Sequence, residues 1–259
     1  MVVILEGGCR VSHMHYGEPL VEGTLRIWKQ IGRATGAQAI SLRVMEFAPG
    51  LSPTVRNDDC DQILYVLANN QSSTTRDGGS VKLFINECSF AVGSDTGIYI
   101  RPGETFGIYN LGPDSVTIIS AQCPDPDCEP HFAQSPLKAE SAELLPVVRL
   151  ADQKAQPTAD RWYRVLVDDE IGSEQVTQFV GSIPPGRAPD HFHHYEEVLF
   201  ILKGEGRMWA GETNTPIAPG SCIYLPKGQT HCVENTGEGE LRLLGVFYPA
   251  GSPSVRYDV

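Results

Sequence analysis

Short apolar runs alternate with turn-forming residues along the whole chain. Each run has the length of a strand and is rich in Val, Ile, Leu, Phe and Tyr, and most are bounded by turn formers. No long stretch keeps the 3.6-residue apolar period of a helix, so the pattern predicts an all-β sandwich or barrel. The predicted strands are Gln38–Phe47, Gln62–Leu67, Val81–Ile85, Val116–Ala121, Gln175–Ile183, Glu197–Leu202, Ser221–Leu225 and Leu241–Tyr248.

Two segments of the chain recur in the same order. Met45–Leu67 resembles Gly181–Leu202, because both pass from a strand through a Pro-Gly turn and a polar loop into an apolar strand. Ile100–Asn110 resembles Leu225–Asn235 in the same way. Two matched segments in one order predict an internal duplication.

The duplication divides the chain into two halves and a connection. We expect an N-terminal barrel over residues 1–122, which includes the N-terminal strands, and a C-terminal barrel over residues 161–259. Residues 123–160 are rich in Pro, Ala, Asp and Glu and are typical of a linker. A short helix is expected within the linker, near residues 139–145.

Composition places the chain among soluble globular proteins. It has 259 residues, of which 41% are hydrophobic and 20% charged. No apolar run approaches the roughly 20 residues of a membrane span, and a net charge of -12 disfavours nucleic acid or an anionic membrane as the main partner. Met1–Glu6 shows no basic region before a long apolar stretch, so we expect no secretory signal and a cytoplasmic protein.

The cysteines indicate a reducing compartment. They number 7, an odd count, and their spacing is irregular in a chain too large to need disulfides. Cys123 and Cys128 could in principle bind zinc with His131, but no second pair of matching spacing follows. A plain reduced linker is the favoured interpretation.

The residues with metal chemistry are concentrated in the second half. His191 and His193 are two apart on a predicted strand and therefore point to the same face, and Glu197 follows at a further even step. A later Pro-Gly turn delivers His231 at the start of the next strand. Three imidazoles and one carboxylate suit a divalent ion such as Fe, Mn, Co, Ni, Cu or Zn, with coordination positions left open. The neighbouring His194 and Glu196 are expected to face the other side.

The two segments that carry these residues resemble the motifs of the cupin superfamily, G(X)5HXH(X)3-4E(X)6G and G(X)5PXG(X)2H(X)3N. The second motif fits from Gly220 to Asn235. The first fits from His191 to Gly204 but has one residue fewer after Gly186. The resemblance implies a double-stranded β-helix, or jelly roll, in each half, with the three histidines and the glutamate as ligands of one metal ion.

The first half departs from the metal-binding pattern. Alignment of the apolar strands places Arg56, Asp58, Gln62 and Phe106 where the second half has its histidines and glutamate. We therefore expect a degenerate N-terminal barrel without a transition metal. The nearby acidic residues, from Asp58 to Asp61, could hold a hard cation, but a solvated acidic loop is the favoured interpretation.

Substrate-binding residues are predicted only from their neighbourhood. Arg187 precedes the ligand loop, and Arg207 and Trp209 share one face of a strand. Tyr224 lies on the strand before the Pro-Gly turn. A cation near the metal would suit a carboxylate, phosphate or enolate. For each residue taken singly, a solvated or packing role remains the simpler alternative.

The ligand set constrains the metal chemistry but leaves the reaction open. The leading hypothesis is a dioxygenase-type oxidoreductase that acts on a small organic acid or enolisable carbonyl compound, with Glu197 able to loosen and act as a base. A non-redox isomerase, lyase or hydrolase is the second hypothesis, and a sensor or storage protein without turnover is the third. All three require a small-molecule partner.

The N-terminal stretch Met1–Arg33 carries more apolar side chains than a solvated arm needs. We expect it to be ordered and part of the core, either as additional strands on its own chain or as an arm exchanged between chains. Packing on its own chain is favoured. The chain resembles a bicupin, a cupin with two barrels in one chain, here one metal-binding and one degenerate. This resemblance implies that edge strands are buried by pairing barrels, either within the chain or across a two-fold axis, and a homodimer is the second of these alternatives.

Overall fold

A computed structural model describes residues 1–57, 59–67, 81–133, 145–158, 160–255 and 257–258. These residues form β-strands and short 3-10 helices, with no α-helix among them. The prediction of an all-β protein is confirmed. The described residues contain no helix long and apolar enough to cross a membrane. Most of the expected linker helix, residues 139–144, lies outside the described residues. The 3-10 helices are Glu6–Gly8, Arg33–Thr35, Leu150–Asp152 and Asp169–Ile171.

The strands are numbered in chain order. Those up to residue 149 are β1 (Val3–Ile4), β2 (Arg10–His13), β3 (Leu20–Glu22), β4 (Leu25–Ile31), β5 (Ser41–Phe47), β6 (Gly50–Leu51), β7 (Thr54–Arg56), β8 (Asp61–Val66), β9 (Val81–Ile85), β10 (Cys88–Val92), β11 (Thr96–Ile100), β12 (Thr105–Asn110), β13 (Val116–Cys123), β14 (His131–Ala133) and β15 (Val147–Arg149). The others are β16 (Gln156–Thr158), β17 (Arg161–Val167), β18 (Thr177–Ile183), β19 (Gly186–Arg187), β20 (His191–Phe192), β21 (Glu196–Lys203), β22 (Gly206–Ala210), β23 (Thr213–Ile217), β24 (Ser221–Leu225), β25 (His231–Asn235), β26 (Leu241–Tyr248) and β27 (Tyr257–Asp258).

Each half of the chain forms a jelly-roll barrel from two sheets. The N-terminal barrel has a large sheet in the order β15-β11-β8-β13-β5-β4-β3 and a smaller one in the order β10-β9-β12-β7-β14. The C-terminal barrel has a large sheet in the order β1-β2-β24-β21-β26-β18-β17-β16 and a smaller one in the order β23-β22-β25-β20-β27. The short strands β6 and β19 pair with β12 and β25, at equivalent positions. The expected duplication is therefore visible in the strand order.

Three short strands, β1, β2 and β15, join the barrel formed mainly by the other part of the chain. Strand β2 pairs with β24 in the C-terminal barrel, and β15 pairs with β11 in the N-terminal barrel. The sheets therefore do not follow a simple division of the sequence, and the limits 1–122, 123–160 and 161–259 stay a prediction.

The N-terminal stretch is ordered and packs on its own chain. Most of its larger apolar side chains are buried, whereas Ile4 and Leu20 are exposed. The buried ones are Leu5, Leu25, Ile27, Trp28 and Ile31.

Three apolar cores account for the packing. One fills each barrel, and a third lies between the two large sheets. Strand alternation distributes the side chains, because successive residues point to opposite faces of a sheet. On β24, Ile223 and Leu225 point into the C-terminal barrel, whereas Cys222 and Tyr224 pack in the core between the barrels. This alternation decides which residues of a large sheet can reach the barrel interior.

Candidate metal centre in the C-terminal barrel

The ligand loop and the Pro-Gly turn position the histidines together. His191, on β20, lies directly across from His231, the first residue of β25. The backbone carbonyl of His193 accepts a hydrogen bond from the amide of Gly228 at 2.8 Å. Gly228 has a φ of +78°, a conformation that side chains with a Cβ rarely adopt. One turn therefore fixes the backbone of His193 and starts the strand that carries His231.

The three histidines form a compact cluster. Each offers one nitrogen, and these nitrogens lie within 4.8 Å of one another. Among the described residues, this is the one group of three or more such side chains close enough to hold a metal ion. Glu197 is adjacent on β21, with its Oε2 atom 3.5 Å from Nε2 of His193. The structure thus brings together all four residues that the sequence predicts as ligands.

Hydrogen bonds to the backbone orient two of the rings. Nδ1 of His191 donates to the carbonyl of Pro189 at 3.0 Å, and Nδ1 of His231 donates to the carbonyl of Gln229 at 2.8 Å. Each bond leaves the Nε2 lone pair available, which is the usual arrangement of a metal-bound histidine. Nδ1 of His193 is buried and has no hydrogen-bond partner among the described residues.

Burial shifts the pKa values of two of the histidines and of Glu197 in opposite directions. Burial, with the neighbouring His231 and His191, lowers the pKa of His193 to about 3. Burial and His191 lower the pKa of His231 to about 4. Both imidazoles are therefore neutral at pH 7 and have free lone pairs. Burial raises the pKa of the Glu197 carboxyl to about 8, so a nearby cation would be needed to ionise it at neutral pH.

The donor set fits a divalent transition metal. The imidazoles of His191, His193 and His231 lie together beside the Glu197 carboxyl group, and those of His193 and His231 are neutral at pH 7. Ligand atoms bound at about 2.1 Å are separated by up to about 4.2 Å. The observed limit of 4.8 Å is close to this spacing, so small rotations of the rings would suffice.

An aromatic stack supports His193, and the sequence reasoning missed it. The ring of Tyr195 stacks on His193 at 4.6 Å between centroids and on Phe247 at 4.5 Å on its other side. Tyr195 is two residues after His193, so the alternation that placed the histidines on one face could have identified it.

A cavity of about 130 Å³ opens over the histidines. Its walls are mostly apolar. Apart from the histidines and Glu197, its polar lining residues include Arg161 and Ser254. Nε of Arg161 lies 2.9 Å from a carboxylate oxygen of Asp160. No motif singled out Arg161. The apolar and aromatic residues of the walls include Trp162, Tyr163, Phe179, Leu199, Leu225, Val233 and Leu243.

The predicted substrate-binding residues lie outside this cavity, which corrects the sequence-based assignment. Met208 and Ala210 fill the barrel interior, so the intervening Arg207 and Trp209 point outward. The guanidinium of Arg187 lies 4.2 Å from the centroid of the Trp209 ring, on this same outer side. Tyr224 is buried between the barrels, where its hydroxyl donates to the Glu196 carboxylate.

Glu196 faces away from the histidines, as alternation predicts, but it is buried. Its carboxylate accepts hydrogen bonds from the backbone amides of Gln38 at 2.8 Å and Ala39 at 2.6 Å. These amides belong to the first half of the chain. Glu196 therefore joins the two barrels, while the next residue, Glu197, faces the metal pocket.

The N-terminal barrel has different residues at the equivalent positions. Phe106 lies across from Val55, as His231 lies across from His191. The Asn57 carbonyl accepts from Gly103 at 2.6 Å, as the carbonyl of His193 accepts from Gly228. The equivalent set is therefore Val55, Asn57, Gln62 and Phe106.

The alignment of Arg56 and Asp58 with the first two histidines is thus wrong by one residue. Arg56 is exposed at the end of β7, and Asp58 lies outside the described residues. The reason is a difference in loop length: Asn57 precedes Gln62 by five positions, whereas His193 precedes Glu197 by four. An alignment based on the apolar strands cannot show where the extra residue lies.

The alternative zinc site in the linker is not formed. Cys123 is fully buried in the core between the barrels, whereas Cys128 is exposed. All seven cysteines are unpaired.

Comparisons with known proteins agree with this architecture. A sequence profile of the Cupin domain family matches residues 179–247, the part of the C-terminal barrel that holds all four predicted ligands. The chain belongs to the cupin superfamily. In this cupin, the fold extends over both halves, because oxalate decarboxylase of Bacillus subtilis, in a deletion variant, matches 92% of the chain. That match has a TM-score of 0.72 and 14% identity and covers 76% of the decarboxylase chain, so it shows the fold alone.

Similarity in sequence is limited to short segments. Auxin-binding protein 1 of Arabidopsis thaliana is 34% identical over 86 residues, which cover 29% of this chain and 43% of that protein. An oxalate-binding protein of Thermotoga maritima is 36% identical over 67 residues, which cover 25% of this chain and 55% of that protein. The chain thus spans about half the length of these two relatives. A metal-dependent cupin with a small-molecule partner is the function that these findings support.

Proposed function

We propose that the C-terminal barrel binds one divalent transition metal through His191, His193, Glu197 and His231. We further propose that the protein is a dioxygenase-type oxidoreductase acting on a small organic acid or enolisable carbonyl compound. The observation that carries the proposal is the convergence of three imidazoles and the buried Glu197 carboxyl group at an apolar cavity. When bound, the metal would supply a Lewis-acidic charge and open coordination positions for oxygen ligands.

The cavity limits the substrate to a small molecule. Its volume of about 130 Å³ is below the range of about 300–1,000 Å³ of sites for drug-sized ligands. The apolar walls exclude water and leave few polar groups to recognise an extended polar substrate. Arg161, at the cavity, supplies a positive charge that suits a carboxylate or enolate, although it already pairs with Asp160.

Glu197 is the proposed catalytic base. Its carboxyl group lines the cavity and is buried, and its near neighbour is His193. A carboxylate in such a site would accept a proton from the carbon next to a carbonyl group, and it would return the proton after the reaction. Tyr195 and Phe247 keep the adjacent imidazole in a fixed plane, so the relative position of base and ligand is maintained.

A non-catalytic binding function is the second candidate. It is favoured by the similarity to one relative named as an auxin-binding protein and another named as an oxalate-binding protein. A non-redox isomerase, lyase or hydrolase would use the same residues without consuming oxygen. The cytoplasmic location and the homodimer stay predictions.

The test compares two neighbouring histidines. His193→Ala removes a predicted ligand, whereas His194→Ala removes an exposed side chain next to it. Metal content is measured by mass spectrometry on protein purified without added metal, and oxygen uptake is screened with enolisable acids. We expect about one metal per chain in the parent and in His194→Ala, and loss of most metal in His193→Ala with the fold retained.

Each result bears on a different part of the proposal. Equal metal content in both variants would place the metal elsewhere and refute the ligand assignment. Metal binding with substrate consumption but no oxygen uptake would refute the dioxygenase assignment and favour non-redox chemistry. Binding of an acid without turnover would favour the binding function.

A further inference from the structure

The N-terminal barrel has a polar interior at the place where the C-terminal barrel has apolar walls. Ser41, Gln122 and Gln62 form one row across strands β5, β13 and β8. The equivalent row in the C-terminal barrel consists of Thr177, Phe247 and Glu197. The N-terminal row thus has an amide where the C-terminal row has a phenyl ring.

The next row along these strands adds a charge. Arg43 lies across from Ser120, as Phe179 lies across from Gly245 in the C-terminal barrel. Arg43 points to the same face as Met45, which is part of the N-terminal barrel core. It is only 4% exposed. The N-terminal barrel therefore has a buried guanidinium at the position that corresponds to Phe179, which lines the cavity over the histidines in the other barrel.

Several polar atoms in these two rows lack partners. Nine buried side-chain nitrogen or oxygen atoms of the described residues make no hydrogen bond, and four of them are in these rows. They are Nε of Arg43, Oε1 of Gln62, Oε1 of Gln122 and Oγ of Ser41. Since an unsatisfied buried polar atom destabilises the folded protein, a cluster of four calls for a physical explanation.

A cavity of about 330 Å³ lies over Arg43 and Gln122. Asn57 and Cys60 form part of its wall. Its lining includes two positively charged residues, Arg43 and Arg56, and two negatively charged residues, Asp59 and Glu129. Since the charges nearly cancel, the cavity suits a ligand of low net charge better than a phosphate or a dicarboxylate.

We propose that this cavity is a second, metal-independent site, which binds a small monocarboxylate that also carries a hydroxyl group. The Arg43 guanidinium, whose Nη2 atom also donates to the carbonyl of Cys128 at 2.9 Å, donates to the carboxylate, and the Gln122 amide accepts from the hydroxyl group. Gln62 and Ser41 lie beside Gln122 in the same row but outside the cavity lining. The ligand thereby supplies partners of both kinds: an acceptor for the guanidinium and a donor for an amide oxygen. The buried arginine provides the positive charge that a metal would provide in the other barrel.

The test isolates this site from the metal centre. All measurements use the full-length His193→Ala protein in the presence of a chelator, so that carboxylates cannot bind to a metal there. Calorimetric titrations compare L-lactate with propionate, which differs by the absence of the hydroxyl group. We expect lactate to bind more tightly than propionate.

Three further variants are made in the same background. Arg43→Gln is expected to weaken lactate binding at least about tenfold, the effect of losing one charge-assisted hydrogen bond. Gln122→Leu is expected to remove the preference for lactate over propionate. Arg207→Gln, an exposed cation on the outside of the other barrel, is the matched control and is expected to have no effect.

Three results would overturn the proposal. They are the absence of lactate binding to the parent background, equal binding of lactate and propionate to it, and unchanged lactate binding in Arg43→Gln. If Arg43→Gln does not fold, Gln122→Leu decides: an unchanged preference for lactate then overturns the proposal, and a lost preference supports it.

Discussion

Replacement of Glu197 by Gln is expected to have opposite effects on stability in the absence and in the presence of metal. Glu197 is 5% exposed, and burial raises the pKa of its carboxyl to about 8 from an ordinary value of 4.5. Glutamine has a similar shape and stays neutral at every pH. The variant therefore removes the ionisation of one buried group and leaves the packing nearly unchanged.

The magnitude follows from the two pKa values. Below pH 4.5 the carboxyl is protonated in both the folded and the unfolded chain, so parent and variant differ little. As the pH rises, only the unfolded chain ionises, and the parent loses stability until the pH passes the folded pKa of about 8. At pH 7, which is 2.5 pH units above the ordinary pKa of 4.5, the loss is about 3 kcal/mol. At about 2–4 °C per kcal/mol, the metal-free variant should melt roughly 6–12 °C above the parent at pH 7.

A bound metal reverses this order. The ionised carboxylate then has a cation as its partner, and metal that binds only the folded chain stabilises it by mass action. Glutamine lacks the charge and binds the cation more weakly. With metal in excess, the parent should therefore melt above the variant at pH 7.

The assay is thermal unfolding followed by circular dichroism, from pH 4.5 to pH 9, with chelator and with added metal. Glu238→Gln is the control, because Glu238 is exposed and should behave like the parent. Glu197 is not among the groups that shift the pKa of His193 or His231, so the difference between the two curves reports on Glu197. A metal-free difference that does not change with pH, or one that favours the parent at pH 8, would refute the reasoning.

Two further predictions concern contacts away from the cavity. Glu196→Ala leaves the backbone amides of Gln38 and Ala39 without their acceptor. We therefore expect the free energy of unfolding to fall by about 3 kcal/mol, with metal content unchanged. A melting temperature like that of the exposed control Glu238→Ala would contradict this expectation. Deletion of Met1–Gly23 removes the strands that pair with β24 and β4 and the buried Leu5 and Val11, each contributing about 1.5–3 kcal/mol. We expect an insoluble or markedly less stable protein, and a truncated chain as soluble and stable as the parent would show a dispensable tail.

The clustering of His191, His193 and His231 was predictable from sequence because it depends on local rules. Alternation along a strand places His191 and His193 on one face, and a Pro-Gly turn fixes the start of the strand that carries His231. The cluster then requires only that the segment with His191 and His193 pairs with the strand that begins at His231. The same rules would have identified Tyr195, two residues beyond His193.

The residues that line the cavity were only partly predictable, because alternation separates two faces without stating which one lines the barrel. On β24 every residue is buried, so the sequence pattern could not show that Tyr224 lies between the barrels. On β22 the interior is filled by Met208 and Ala210, which leaves Trp209 outside. Arg161 comes from a strand far away in sequence. Its position at the cavity depends on the sheet order, which no local pattern contains.

The internal duplication separates residues that maintain the barrel from residues that provide chemistry. Gly103 and Gly228 occupy equivalent turns, with φ values of +83° and +78°, and each donates its amide to the carbonyl of an equivalent residue. That residue is Asn57 in one half and His193 in the other. The turn and its hydrogen bond are thus the same whether or not the side chain can bind a metal.

Asn110 and Asn235 show the same separation at the other end of the second motif. Nδ2 of Asn110 donates to the carbonyl of Phe47 at 3.0 Å, and Nδ2 of Asn235 donates to the carbonyl of Ile183 at 2.8 Å. Both asparagines therefore join the end of one sheet to the other, and both are buried. The glycine and the asparagine of the motif therefore indicate the barrel fold in either half, whether or not that half has metal-binding side chains. The proposed metal site depends only on side chains that the two barrels do not share, and for this reason the fold alone could not identify the half that we propose to bind metal.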